Sequence, residues 1–333
     1  MSRHAALLSL VFLAGCPKSG APGRSADGSV TVTFGLQPME KADFAYDQTQ
    51  TNVSPVSTET KGMAYTARLD LYAADDGGVE WAYNDAAYLG EPTAMPPELR
   101  DTMLLMNVES QHWILDENTG EVIATPGAQF VARGVRDMID KAAAAAPDGS
   151  GEMIRSTMES QFSSMIDETI MAQQMRMNWE QELGLLIDRT FVPGEPLAIE
   201  LDNASIPLLP GRAITLTYTV TMSAEPVPCT PESKRSRCRR FDVASSLPET
   251  ALNALVAELM EKMLGGSGLG AMGVELSFNS LSQSRSWIVD PSTARPYRQE
   301  FKVNVDLEMS MMGQQVPMTS EQTTLSTWTW APR

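Results

Sequence analysis

Three stretches near the C-terminus decide the fold: VELSFNSLSQSRSWIV (Val274–Val289), YRQEFKVNVDLEMSMM (Tyr297–Met312) and VPMTSEQTTLSTWTW (Val316–Trp330). Each reads as a long β-strand, and short connections leave successive strands antiparallel. Asp290 and Pro291 stand between the first two. An Asp at the first turn position accepts a backbone amide two residues on, and the proline presets the next φ.

Working outward, ITLTYTVTM within Ala213–Met222 is a strand, and Phe241–Ala244 continues the ladder. Ser246-Leu-Pro-Glu249 starts a helix to about Leu264, with Ser246 as its cap and Pro248 in the first turn. Nearer the N-terminus, Val30–Phe34 alternates as a strand does. Met63–Ala74 and Val79–Leu89 flank Asp75-Asp-Gly-Gly78, a hairpin signal. Pro97 opens a short helix through about Met106. Val108–Leu115 then reads as a strand, Asp116–Gly120 as a turn and Glu121–Thr125 as its return. The centre is helical: Val131–Ala146, a break at 147–151, then one long helix over 152–186. Ile154, Met158, Phe162, Met165, Ile166 and Ile170 form its apolar stripe. Pro193–Pro196 ends that region.

SQHWILDENT (Ser110–Thr119) aligns with SRSWIVDPST (Ser284–Thr293), with five of ten positions identical, among them Trp113 with Trp287 and Asp116 with Asp290. A helix is expected before each copy. The expected fold class is therefore α+β: a large antiparallel curved sheet from two diverged halves, 30–190 and 191–333, joined in one continuous domain or held as two, with helices packed on one face. This architecture is similar to that of envelope lipoproteins with a half-barrel, lipoprotein-carrier-like sheet.

The first residues, MSRHAALLSLVFLAGC, place Arg3 before an apolar run from Ala5 to Leu13. That run is shorter than the roughly 20 apolar residues of a spanning helix and fits a signal-peptide core. Leu13-Ala-Gly-Cys16 resembles the lipobox of bacterial lipoproteins. The resemblance implies cleavage after Gly15, diacylation of the Cys16 thiol, and a membrane-held product. Pro17 stands where an Asp would favour inner-membrane retention, so the resemblance points to the outer membrane. Residues 16–29 form the acylated cysteine and a Pro-, Gly- and Ser-rich tether, the thirteen residues after Cys16 reaching about 45 Å at most.

The 333 residues carry a formal charge of −17 and 43% hydrophobic residues. A chain so composed is globular, and its negative field disfavours nucleic acid and broad adsorption to anionic lipid. With Cys16 acylated, Cys229 and Cys238 remain, and an even pair in an exported protein reads as a disulfide. A metal pair would need further thiolate or imidazole ligands, and beyond the leader His112 is the sole histidine. Lys234, Arg235, Arg237, Arg239 and Arg240 crowd the cysteine hairpin, five cations in seven residues. They are the candidate surface for an acidic partner or a lipid phosphate, set against a plain solvated hairpin tip.

Other motifs carry less. Gly268-Leu-Gly-Ala-Met-Gly273 has the spacing of a dinucleotide loop, but a helix precedes it and a strand follows, the reverse of the required order. His112 lacks a G-x-S-x-G nucleophile. The 21 methionines, Met175, Met177, Met309 and Met311 among them, are core or adaptable-pocket fillers before they are copper ligands. The function expected is non-enzymatic: an envelope lipoprotein binding a hydrophobic ligand or a partner protein, with no cofactor, no metal and no nucleic acid. The alternatives are a surface interaction subunit using the basic hairpin and, third, a hydrolase.

Overall fold

The computed structural model describes residues 28–75, 77–90, 97–146, 149–206, 209–233, 236–246, 275–311 and 314–332. In chain order the elements are β1 (Val30–Thr31), β2 (Lys41–Ser54), β3 (Ser57–Ala73), β4 (Gly78–Tyr88), α1 (Pro97–Glu109), β5 (Trp113–Asp116) and β6 (Val122–Ala124). Four helices follow, α2 (Gly127–Ala144), α3 (Gly151–Gln161), α4 (Ser163–Ile166) and α5 (Glu168–Gln181), then a 3-10 turn at Leu183–Leu185. The rest are β7 (Thr190–Phe191), β8 (Pro196–Ile206), β9 (Leu209–Met222), β10 (Val227–Pro228), β11 (Ser236–Ser246), β12 (Glu275–Asp290), β13 (Arg295–Met311) and β14 (Gln314–Trp330).

Among the described residues, twelve strands form one antiparallel sheet in the order β6-β5-β4-β3-β2-β14-β13-β12-β11-β9-β8, with β10 on β11. Its end strands do not pair with each other, so the sheet is open and not a barrel. β1 and β7 form a separate two-stranded ribbon. Strands before α5 lie on one side of the sheet and strands after it on the other. They meet where β2 pairs with β14 along its length, Ala42 opposite Trp330 and Val53 opposite Thr319.

One face carries Phe44, Tyr65, Ala67, Trp81, Tyr83, Phe241, Trp287 and Trp328, all buried in one core with Leu104 and Val108 of α1 and Trp179 of α5. α1 and α5 thus cover this inner face. α2, with α3 and α4, stacks on them around a second core of Met106, Val131, Val135, Ile139, Met171 and Met175. Gly127 lets the start of α2 approach the end of α1, since a Cβ there would sit 1.8 Å from the Glu109 carbonyl oxygen.

β12, β13 and β14, the β3–β4 hairpin, β9 and the turn after Asp116 form where the sequence places them. Three expectations need correction. Val108 is not in a strand: α1 runs to Glu109, and Val108 enters the core from the helix. The long helix over 152–186 is three helices and a 3-10 turn. Asp167 interrupts it in an extended conformation, and its carboxylate accepts from the amides of Thr169 and Ile170, which caps a new helix. The strand at Val30–Phe34 ends at Thr31. Val32, Phe34 and Leu36 keep the alternation and are buried, but their segment bonds to loops, with the Thr33 amide donating to the Pro291 carbonyl. Ser246 closes β11. The helix expected from it to Leu264, the glycine run 268–273, the leader, Cys16 and the tether to residue 27 lie outside the described residues.

Candidate functional site

The inner face changes character along its strands. Every second residue faces inward, so Phe44 and Tyr46 share this face on β2, as do Trp287 and Arg285 on β12, and Trp328, Ser326 and Thr324 on β14. Cross-strand register sets them side by side: Tyr46 opposite Ser326, Ser326 opposite Gln299, and Gln299 opposite Trp287. One row further along, Thr324, Phe301 and Arg285 are neighbours. Toward one end the face is aromatic. Trp81, Trp113 and Trp179 pack at ring distances of 5.2–6.4 Å, and Phe44 lies 4.6 Å from Tyr83 and 5.2 Å from Trp328. Three indole N–H groups are satisfied, by donation from Trp113 to the Met175 carbonyl, from Trp179 to the Gly120 carbonyl and from Trp328 to the Tyr83 hydroxyl, while those of Trp81 and Trp287 are buried without an acceptor among the described residues.

Toward the other end the helices stand away from the sheet and leave a cleft of about 270 Å³. Tyr46, Tyr65, Arg285, Gln299, Phe301 and Thr324 line it from the sheet, and Asn107, Gln111, Asn178 and Glu182 from the helical side. Arg285 is its central charge, with 15% of its side chain exposed. Its guanidinium lies 4.8 Å over the Phe301 ring, and Nη1 donates to the Gln181 carbonyl at the end of α5, 2.6 Å away. Nη2 is 3.8 Å from the Glu182 carboxylate, an ion pair too long for a hydrogen bond. Nε is buried and has no hydrogen-bond acceptor among the described residues. Partial burial pushes the Glu182 carboxyl above the usual carboxylate range, although 36% of its side chain stays exposed, and Arg285 offsets the shift in part. Burial likewise raises the hydroxyls of Tyr46 and Tyr65, against bonds with Thr324 and Gln111 respectively that pull them down.

Two further hollows have charged linings whose side chains are largely paired within the protein. One of about 590 Å³ lies on the opposite face of the sheet, where Arg240 pairs with Asp242 and Lys302 with Glu300. One of about 660 Å³ lies beside Gly120 and Trp179, where Arg189 donates to the carbonyls of Gly184 and Leu185 and closes the 3-10 turn.

Cys229 and Cys238 are joined as a disulfide and pack with Tyr297. The three described arginines of the basic cluster do not share one side of the strand. Strand alternation in β11 sends Arg237 and Arg239 to one side and Arg240 to the other. Arg237 pairs with Asp290 and donates to the Tyr297 hydroxyl, Arg239 is buried and donates to the Ala224 carbonyl, and Arg240 pairs with Asp242. Lys234 and Arg235 lie outside the described residues. His112 bridges α1 to β4, its Nδ1 3.1 Å from Glu109 and its Nε2 2.8 Å from Glu80. Met175 and Met177 are buried core residues. Met309 and Met311 lie on β13, and their side chains are outside the described residues.

The sequence reading did not single out the cleft residues, yet it held a signal for two of them. Gln111 and Arg285 occupy the same position in the repeated motif, two residues before Trp113 and Trp287, and both reach the cleft. The motif's turns also match. Asp116 accepts from the amides of Asn118 and Thr119, and Asp290 from the amide and hydroxyl of Ser292. Each turn ends in a left-handed residue, Gly120 at φ 70° and Ala294 at φ 55°.

No family model matches the chain, and no curated protein matches it. Among solved structures it is similar to one described as lipid-protein interactions in lipovitellin, at 10% identity and a TM-score of 0.38. That likeness covers 89% of this chain, which spans about a quarter (26%) of the other's length. Among the described residues, no helix is long and apolar enough to cross a membrane.

Proposed function

We propose that this protein is a lipid-anchored component of the bacterial cell envelope that acts by binding, and that the cleft between α1, α5 and the inner face of the sheet holds its ligand. Acylation of Cys16 tethers it, through residues 17–29, to the outer membrane. One observation carries the binding reading: a buried arginine with a donor unmet among the described residues stands in a cleft lined by aromatic rings, amides, hydroxyls and a single carboxylate, that of Glu182. Leaving a buried donor unsatisfied costs about 1–3 kcal/mol, and a ligand acceptor removes that cost. The ligand is amphipathic. The cleft offers Tyr46, Tyr65, Trp113 and Phe301 for its apolar part and amide groups for its polar end. The aromatic stretch of the inner face is filled by the protein's own α5, so a wholly apolar ligand has less room there than in an empty half-barrel.

Native mass spectrometry of protein taken from its own membrane tests this. A small-molecule adduct is expected, and it is lost in Gln111→Trp, which fills the cleft from the helical side. Absence of any adduct, or an adduct that persists in Gln111→Trp, overturns the reading. Cys16→Ser checks the tether separately, because it should move the protein from the membrane to the soluble fraction.

A further inference from the structure

Resting on the proposed cleft, we infer that Arg285 reads an oxyanion on the ligand, a carboxylate or phosphate, and that Glu182 is the internal counter-charge that this oxyanion displaces. The guanidinium offers five N–H donors. Among the described residues one bond, to the Gln181 carbonyl, is made at 2.6 Å, while Nε has no acceptor and the Glu182 carboxylate stays at 3.8 Å. The Phe301 ring under one face of the guanidinium fixes its plane and leaves its edge as the binding fork. The Gln181 carbonyl at the C-terminus of α5 favours a cation at this spot, which keeps Arg285 in place whether or not a ligand is bound.

Glu182 has the properties of a placeholder. It is close enough to balance the charge and too far to satisfy the donors. Partial burial raises its carboxyl, and with 36% of its side chain exposed it can give way to a better-placed anion while staying in contact with solvent. Gln299 and Thr324 extend from the neighbouring strands into the same cleft and supply further donors for a second oxygen. At about 270 Å³ the space suits a headgroup or a small organic acid, just under the roughly 300 Å³ lower bound of common ligand pockets.

The test is calorimetric titration of the mature full-length chain with octyl phosphate, octanoate, inorganic phosphate and octanol. Octyl phosphate or octanoate should bind, more weakly as salt rises. Arg285→Gln should weaken that binding tenfold or more, and Arg285→Lys by less. Glu182→Gln should tighten it several-fold, a result that a purely helix-capping role for Arg285 does not produce. Inorganic phosphate binding as tightly as octyl phosphate identifies a free anion as the source, and preference for the alkyl forms identifies a lipid-like one. Octanol binding should be unchanged by any of the three substitutions. If Arg285→Gln and the wild type bind the anions equally, or Glu182→Gln weakens them, the assignment is overturned. Octanol and anions binding alike in every variant would leave the cleft standing and remove the oxyanion. No binding by any probe removes both.

Discussion

The aromatic and polar stretches of the inner face lie side by side under the same two helices, and they do opposite work. Around Trp81, Trp113 and Trp179 the helices touch the sheet and every indole lies within van der Waals reach of another. Aromatic pairs of this kind add about 0.5–1.5 kcal/mol each beyond the area they bury. Around Arg285 the same layers part, and a charged group with an unmet donor is enclosed. Apolar residues of similar volume would serve folding there as well or better. The comparison teaches that stability is concentrated in the first stretch, and that the second is a place where stability is not what the residues supply.

The sharpest way to break that comparison is Trp179→Ala. It empties the centre of the tryptophan group and removes the bond to the Gly120 carbonyl. A loss of about 3–5 kcal/mol is expected from denaturant unfolding. A loss below about 1 kcal/mol would mean that the aromatic stretch does not anchor the helices. Next come Asp116→Ala and Asp290→Ala, which remove equivalent turn bonds at the two copies of the motif. The turn bonds should be worth about 1 kcal/mol at each site by analogy with helix-cap removal, and Asp290→Ala should cost more because it also breaks the pair with Arg237. Similar costs once Asp290→Ala is measured in an Arg237→Gln background support equivalent turns, whereas a disparity of several kcal/mol there would separate the copies.

The third prediction concerns pH at the border between the stretches, where His112 stands between Gln111 and Trp113. Burial lowers its pKa, but the bonds to Glu109 and Glu80 outweigh that and leave it raised. A histidine raised in the folded state contributes stability that is fully present below its unfolded pKa, about 6.5. That contribution is lost as pH rises through the folded value. Glu182, also raised, acts in the same direction at lower pH: its neutral form is favoured in the fold, so stability falls as pH climbs from the ordinary carboxylate range. Thermal melts from pH 5 to 9 should show declining stability that His112→Gln flattens in the upper part and Glu182→Gln in the lower part. Unchanged slopes in both variants would contradict these assignments. The smallest effect on folding is expected from the double change Arg285→Met with Glu182→Met, which removes both members of the pair and should leave the protein within about 1 kcal/mol of wild type or more stable. A loss of several kcal/mol there would make Arg285 a structural residue and erase the distinction between the two stretches.

The C-terminal strands and the Asp turns were legible because their information is local: alternation over long runs, and a side chain that bonds its own turn. β2 was not legible. Its tip, with Thr49, Gln50, Thr51 and Asn52, is polar on both faces, so no alternation marks it. α1 and β5 blurred because Val108 is buried from a helix while Trp113, five residues on, is buried from a strand. The cleft was hidden for a different reason. Arg285 sits in a Ser-Gln-Ser-Arg-Ser run that reads as solvent-facing, and only the register with Phe301 and Thr324 and the position of α5 turn it inward. Arg239 errs the opposite way, since it looks like part of a surface charge cluster and is buried.

The pairing of β2 with β14 places one of the earliest strands beside one of the last, in the middle of the sheet. During synthesis β2 can zip to β3 at once, but its other edge stays open until some 270 further residues have emerged, the separation between Gln50 and Ser320. An unpaired edge of that length is a template for foreign strands. A nascent chain with this topology therefore carries an exposed edge through most of its synthesis, and its final assembly is slow because the closing contact is so distant in sequence.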